Sequence, residues 1–162
     1  MSGSTSKKIV VYRFDREPLE GFVNPQAWLG PSGMEILSPS GALTRVPYPD
    51  VKVVCFVKEF DRNGWQRERR LFASRPKTEG LWVRALFRDN DFLEGVLPND
   101  LLAGESYGFL IAPPDASSNT QRAFLPRLAL KELKVMGVVG SPARPTRKTK
   151  TETDEHQIRL FE

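Results

Sequence analysis

Asp15-Arg16-Glu17-Pro18-Leu19-Glu20-Gly21-Phe22-Val23 returns later in the chain as Asp89-Asn90-Asp91-Phe92-Leu93-Glu94-Gly95-Val96-Leu97, an offset of 74 (89 minus 15). Each copy follows a β-rich run, Ile9-Val10-Val11-Tyr12 in the first and Leu81-Trp82-Val83-Arg84-Ala85-Leu86-Phe87 in the second. Downstream, Val46-Pro47-Tyr48-Pro49-Asp50-Val51-Lys52-Val53-Val54 matches Leu125-Pro126-Arg127-Leu128-Ala129-Leu130-Lys131-Glu132-Leu133, now at an offset of 79 (125 minus 46). The five extra residues fall in Pro113-Pro114-Asp115-Ala116-Ser117-Ser118-Asn119-Thr120, whose composition is that of a loop. Two matches in one order, with the length difference confined to a loop, point to an internal duplication.

Within each copy, short apolar runs bounded by Gly, Pro and Asp read as five strands. They are expected near 8–14, 18–24, 33–38, 42–47 and 51–58, and again near 81–88, 92–98, 107–113, 121–125 and 130–136. Gly21 suits a bend where a short strand must curl. Pro47 and Pro49 cannot sit in a central strand, so a tight one-turn connection is expected before the fifth. The fold class expected is mainly β: two tandem five-stranded small barrels packed together, plus a disordered C-terminal tail. The expected organisation is a disordered N-terminus (1–7), a first barrel (8–60), an arginine-rich connector or hairpin (61–80), a second barrel (81–140) and a flexible tail ending in a docking peptide (141–162).

Five short, bent strands with a proline-containing turn before the last resemble the SH3-like and Sm-like small barrels, over about residues 8–58 and 81–137. The Sm-like residue blocks that contact RNA are absent from both copies, so the resemblance implies the fold and not RNA binding or ring assembly. Arg75 to Phe87, with Asn99-Asp100 and Pro113-Pro114-Asp115, also resembles an uncharacterised bacterial family, which implies no activity. A barrel of about 50 residues is marginal alone, because so small a domain buries little of its surface. Packing of the two copies is therefore expected, with Trp28, Trp65, Trp82 and the ten phenylalanines supplying apolar area.

The composition narrows the function classes. With 40% hydrophobic and 27% charged residues and a net charge of +4, the chain permits a polyanionic partner without demanding one. The single cysteine, Cys55, lies inside Val53-Val54-Cys55-Phe56-Val57 and reads as a buried hydrophobe; one cysteine builds no disulfide framework and no cysteine metal site. The polar N-terminus and the lack of a long apolar run point to a cytoplasmic protein without a membrane span. The only histidine, His156, sits in a polar tail without an orienting partner, and no phosphate loop, nucleophile elbow or two-histidine motif occurs. A non-enzymatic protein without cofactor is expected. Asp89, Asp91 and Glu94 have the donor type a metal takes, but they straddle a predicted hairpin turn, and the turn reading is preferred over a metal site.

Two segments carry binding hypotheses. The connector Asp61–Lys77 holds Arg62, Arg67, Arg69, Arg70, Arg75 and Lys77 against Asp61 and Glu68, with Trp65 and Phe72 interleaved. Guanidinium groups pair with phosphates and exposed aromatics stack on bases, so Arg62, Trp65, Arg67, Arg69, Arg70, Arg75 and Lys77 form a candidate single-stranded nucleic-acid site. The alternative is structural: a β-hairpin turning at Asn63-Gly64, with arginines outward and the aromatics packed. The paired arginines also resemble those of PilZ domains, which bind a cyclic dinucleotide. The Asp/Asn-x-Ser-x-x-Gly segment of that family has only a partial echo in Ser74 to Gly80, and a small-molecule or cyclic-dinucleotide sensor is the third reading.

After Gly140 the composition turns to Pro, Thr, Ser, Lys, Arg and Glu, which cannot bury enough area to order itself. The chain then ends in Gln157-Ile158-Arg159-Leu160-Phe161-Glu162, an apolar cluster on a polar tether, suited to a partner's pocket. Gln157-Ile158-Arg159-Leu160-Phe161 resembles the Gln-Leu-Ser/Asp-Leu-Phe peptide by which polymerases and repair proteins bind the DNA sliding clamp. The resemblance implies that Gln157 hydrogen-bonds at the pocket rim while Leu160 and Phe161 fill it; Ile158 and Arg159 depart from the family pattern. The alternative is that the tip folds back as an extra edge strand. The leading expectation is a binding or adaptor protein; the runner-up is an interaction module whose free barrel edges assemble with further copies or another protein.

Overall fold

The computed structural model describes residues 6–115 and 117–140. Its order is β1 (Lys7–Arg13), β2 (Leu19–Val23), β3 (Leu29–Gly30), β4 (Gly33–Leu37), β5 (Leu43–Val46), β6 (Val51–Val57), a helical turn α1 (Gly64–Arg67), β7 (Gly80–Phe87), β8 (Phe92–Leu97), β9 (Gly108–Ile111), β10 (Thr120–Pro126) and β11 (Leu130–Val139). One-turn 3-10 helices at Tyr48–Asp50 and Arg127–Ala129 precede β6 and β11, at the proline-containing connections. The mainly β class is what the strand pattern implied. The two-residue β3 and the helical turn α1 were not anticipated.

All pairing is antiparallel, and the two copies follow one plan. In the first, the strands lie in the order β6-β1-β2-β4-β5, with β3 also on β4. In the second, β11-β7-β8 form one sheet, β9 pairs with β10, and a bridge between Val96 and Ala112 joins β8 to β9. Counting the five main strands of each copy, the order is five-one-two-three-four in both.

The bends coincide too. A Cβ added at Gly21 would lie 2.5 Å from Ile36 Cγ2, and one added at Gly95 would lie 2.5 Å from Ile111 Cδ1. Each glycine lets strand two curl over strand three where any side chain would collide.

The copies share strands as well as touching. β6, strand five of the first copy, pairs with β10, strand four of the second, through Thr120↔Val57, Arg122↔Phe56, Ala123↔Cys55 and Phe124↔Val54. One eight-stranded sheet therefore crosses from copy to copy.

That seam explains why β1 and β6 read as continuous apolar runs, since a strand covered on both faces does not alternate. Ile9, Val11, Val51 and Val54 face one core, which also contains Trp28, Met34, Ile36 and Phe124, the last contributed by β10. Val10, Tyr12, Val53, Cys55 and Val57 face the other, with Val83, Phe87, Leu93, Ile111 and Leu125 of the second copy. Among the described residues, no helix is long and apolar enough to cross a membrane.

Candidate functional site

The hairpin expected at Asn63-Gly64 does not form. A type I′ turn needs positive φ at both central residues, and Asn63 takes φ −104°. Asp61 instead accepts a hydrogen bond from the Asn63 N–H on Oδ1 (3.1 Å) and one from the Gly64 N–H on its backbone oxygen (3.1 Å), starting the single turn of α1. That turn directs Trp65 inward, where it packs 6.0 Å from the Tyr12 ring and 5.9 Å, edge-on, from Phe87. Its backbone N–H donates to Tyr12 Oη at 3.2 Å, and Tyr12 in turn donates to the Asp61 carbonyl at 3.0 Å. Burial is the main force pushing the Tyr12 phenol up to about 12.

Two carboxylates of the second copy fasten the connector. Asp91 Oδ2 accepts hydrogen bonds from Lys52 Nζ (2.8 Å), Trp65 Nε1 (3.2 Å) and Arg70 Nη2 (3.3 Å). Arg70 lies 3.6 Å above the Trp65 ring and donates to the Trp65 carbonyl at 2.9 Å. Glu94 is 2% exposed and accepts four hydrogen bonds: Phe72 N–H (3.0 Å) and Trp82 Nε1 (3.3 Å) on Oε1, Arg84 Nε (3.0 Å) and Nη2 (2.6 Å) on Oε2. The Glu94 N–H meanwhile donates to the Arg70 carbonyl at 2.8 Å.

Burial works to raise the pKa of both acids, but their donors prevail, and both lie below the ordinary carboxylate range. Asp89 shares Lys52 with Asp91. The acidic triplet is thus a set of acceptors for the connector and β6. Among the described residues no group of His, Cys, Asp and Glu has the arrangement of a metal site.

Packing engages five of the seven residues proposed for nucleic acid within the chain itself. Trp65 is buried and unavailable for stacking, and Arg70 is spent on Trp65 and Asp91. Arg62 donates to the Pro18 carbonyl, Arg67 to Asp61, and Arg75 Nη2 to the Val138 carbonyl at 2.7 Å. Arg69 and Lys77 are exposed and border a shallow hollow of about 280 Å³. Phe72 is half-buried, edge-on to Trp82 at 6.3 Å. The packed alternative holds for both aromatics, without the hairpin. Gln157, Ile158, Leu160 and Phe161 lie outside the described residues, as does His156.

One feature escaped the sequence reading. At the β6·β10 seam an open hollow of about 510 Å³ has Trp28, Phe56 and Phe124 in its floor and Lys7, Glu105 and Arg122 at its rim. Trp28 meets Phe56 at 5.5 Å and Phe124 at 5.2 Å, both edge-to-face. The floor joins two strands that pair across the duplication, so no local pattern announces it.

Strand order, paired glycines and a connector fastened by the buried Glu94 and the half-buried Asp91 define a duplicated small-barrel β protein, fused through one shared sheet. The chain belongs to a family of unknown function, DUF6982, whose profile matches residues 5–137. No curated protein and no solved structure matches it.

Proposed function

We propose that the protein is a non-enzymatic cytoplasmic adaptor, in which the fused double barrel carries a C-terminal peptide, Gln157–Phe161, that docks on the DNA sliding clamp. What carries the reading is the sequence of the tip, Gln157-Ile158-Arg159-Leu160-Phe161, an apolar cluster that ends a polar stretch. Among the described residues, both hydrophobic cores draw on side chains between Ile9 and Leu133, and no buried side-chain polar atom lacks a hydrogen-bond partner. Ile158, Leu160 and Phe161 suit another protein's apolar pocket, and their order resembles that of the clamp-binding peptide. The non-enzymatic reading draws support from Cys55: burial pushes its thiol up to about 12, which makes it a poor nucleophile at neutral pH. A nucleic-acid platform on the connector has less behind it, since Trp65 is buried and Arg70 is held against it by Asp91, while Arg62, Arg67 and Arg75 each spend a donor within the chain.

Fluorescence anisotropy of a labelled Asp154–Glu162 peptide, and of the full chain, against purified clamp tests the reading. Micromolar binding that disappears with Leu160→Ala/Phe161→Ala is expected. Equal signals from the wild-type and doubly substituted peptides would refute it.

A further inference from the structure

The duplication makes its inner seam from one strand-five edge and one strand-four edge, β6 and β10. It leaves one edge of each kind over. β5, strand four of the first copy, pairs only with β4 among the described residues, and β11, strand five of the second, pairs only with β7. We propose that β5 of one molecule adds to β11 of a second copy of this chain, repeating between molecules the junction already made within one.

The inner seam supplies the register. With the offset of 79, Phe124 corresponds to Arg45 (124 minus 79) and Val54 to Leu133 (54 plus 79). The seam pairs Phe124↔Val54, Ala123↔Cys55 and Arg122↔Phe56 then become Arg45↔Leu133, Thr44↔Lys134 and Leu43↔Val135. None sets like charges opposite each other, which would oppose pairing. The third brings together two apolar side chains that lie in water in the single chain, Leu43 at 68% and Val135 at 61% exposure. Val138 and Met136 continue the exposed apolar row along β11 at 56% and 40%. An edge of this length and composition, β11 running ten residues, is a template for a further strand.

The contact has a direction. β5 and β11 are different surfaces, so each molecule engages one neighbour by its head and another by its tail. Such a heterologous junction propagates to a closed ring or an open filament and does not stop at a two-fold dimer. The outer pairs are more polar than the inner ones, with Arg45 and Lys134 where the seam has Phe124 and Cys55. The junction is accordingly weaker than the seam and depends on concentration. It owes nothing to the tail peptide, and failure of clamp binding would leave it standing.

The test uses the full chain. Static light scattering should give an apparent mass near 18.3 kDa when dilute, rising to at least twice that as concentration increases. Leu43→Lys spoils the β5 edge and Val135→Lys the β11 edge; both sites are exposed, and circular dichroism should stay as in the wild type. Each variant alone should remain a monomer at every concentration. Mixed one to one, they should form a dimer and nothing larger, since one intact β5 and one intact β11 remain. A wild type that stays monomeric throughout would overturn the proposal, as would undiminished assembly of either variant. Two monomeric variants whose mixture also stays monomeric would overturn the head-to-tail pairing.

Discussion

Removing the Glu94 carboxylate should unlatch the connector and cost a large part of the stability of so small a body. In Glu94→Ala, the half-buried Phe72 N–H and Trp82 indole N–H lose their acceptor, and Arg84 loses its ion pair. A buried donor left unpaired costs about 1–3 kcal/mol. The Arg84 side chain is nearly half exposed and can turn to water, so its share is small. The two neutral donors then set an expected loss of about 3 kcal/mol. Glu94→Gln keeps one acceptor oxygen and the shape, and should cost about 1–2 kcal/mol, mainly the charge-assisted part.

The charge also fixes a pH dependence. The folded carboxyl has a lowered pKa, so its contribution is present above the unfolded value near 4.3 and disappears as pH falls through the folded one. The acid limb of stability should therefore be shallower in Glu94→Gln than in the wild type. Urea unfolding followed by tryptophan fluorescence at neutral pH and at pH 3 measures both effects, and limited proteolysis should show new cleavage between Glu68 and Thr78. A loss under about 1 kcal/mol for Glu94→Ala, with the connector still protected, would refute the latch.

The paired glycines give a second prediction. Gly21→Ala and Gly95→Ala each force a Cβ against an isoleucine and a backbone oxygen, and each should lower stability by about 1–3 kcal/mol in urea melts. A neutral result at either site would undo the equivalence of the bends. Cys55, fully buried with its thiol raised to about 12, should react with a thiol reagent at pH 8 only after unfolding. Labelling of the native protein as fast as of the unfolded chain would contradict the seam that covers it.

The strands were legible because each is short, apolar and bounded by Gly, Pro or Asp, and because the repeat fixes their number twice over. Leu19–Val23 and Phe92–Leu97 fall inside the predicted ranges, and the prolines at 47 and 126 mark the turns before the fifth strands. What could not be read was which edge meets which. Pairing of Phe124 with Val54 joins residues 70 apart (124 minus 54) and has no local signature. The unbroken apolar runs at Ile9–Tyr12 and Val53–Val57 are its only local trace.

The connector misled for a related reason. Asn63-Gly64 carries a strong hairpin preference, but Trp65 gains more by entering the pocket beside Tyr12 and Phe87 than it would on an exposed ribbon. The arginines looked like a ligand surface because the carboxylates that occupy Arg70 and hold the neighbouring backbone, Asp91 and Glu94, come from the next copy.

The shared sheet also sets a timetable for biosynthesis. The first copy is translated through Val57, yet the strand that completes its sheet begins at Thr120, 63 residues later (120 minus 57). At about 5–20 residues per second, the growing polypeptide spends roughly 3–13 s on the ribosome with the β6 edge open. During that interval a neighbouring nascent chain could capture the edge. Proper maturation therefore favours whichever conditions keep ribosomes apart or supply a chaperone to shield Val53–Val57.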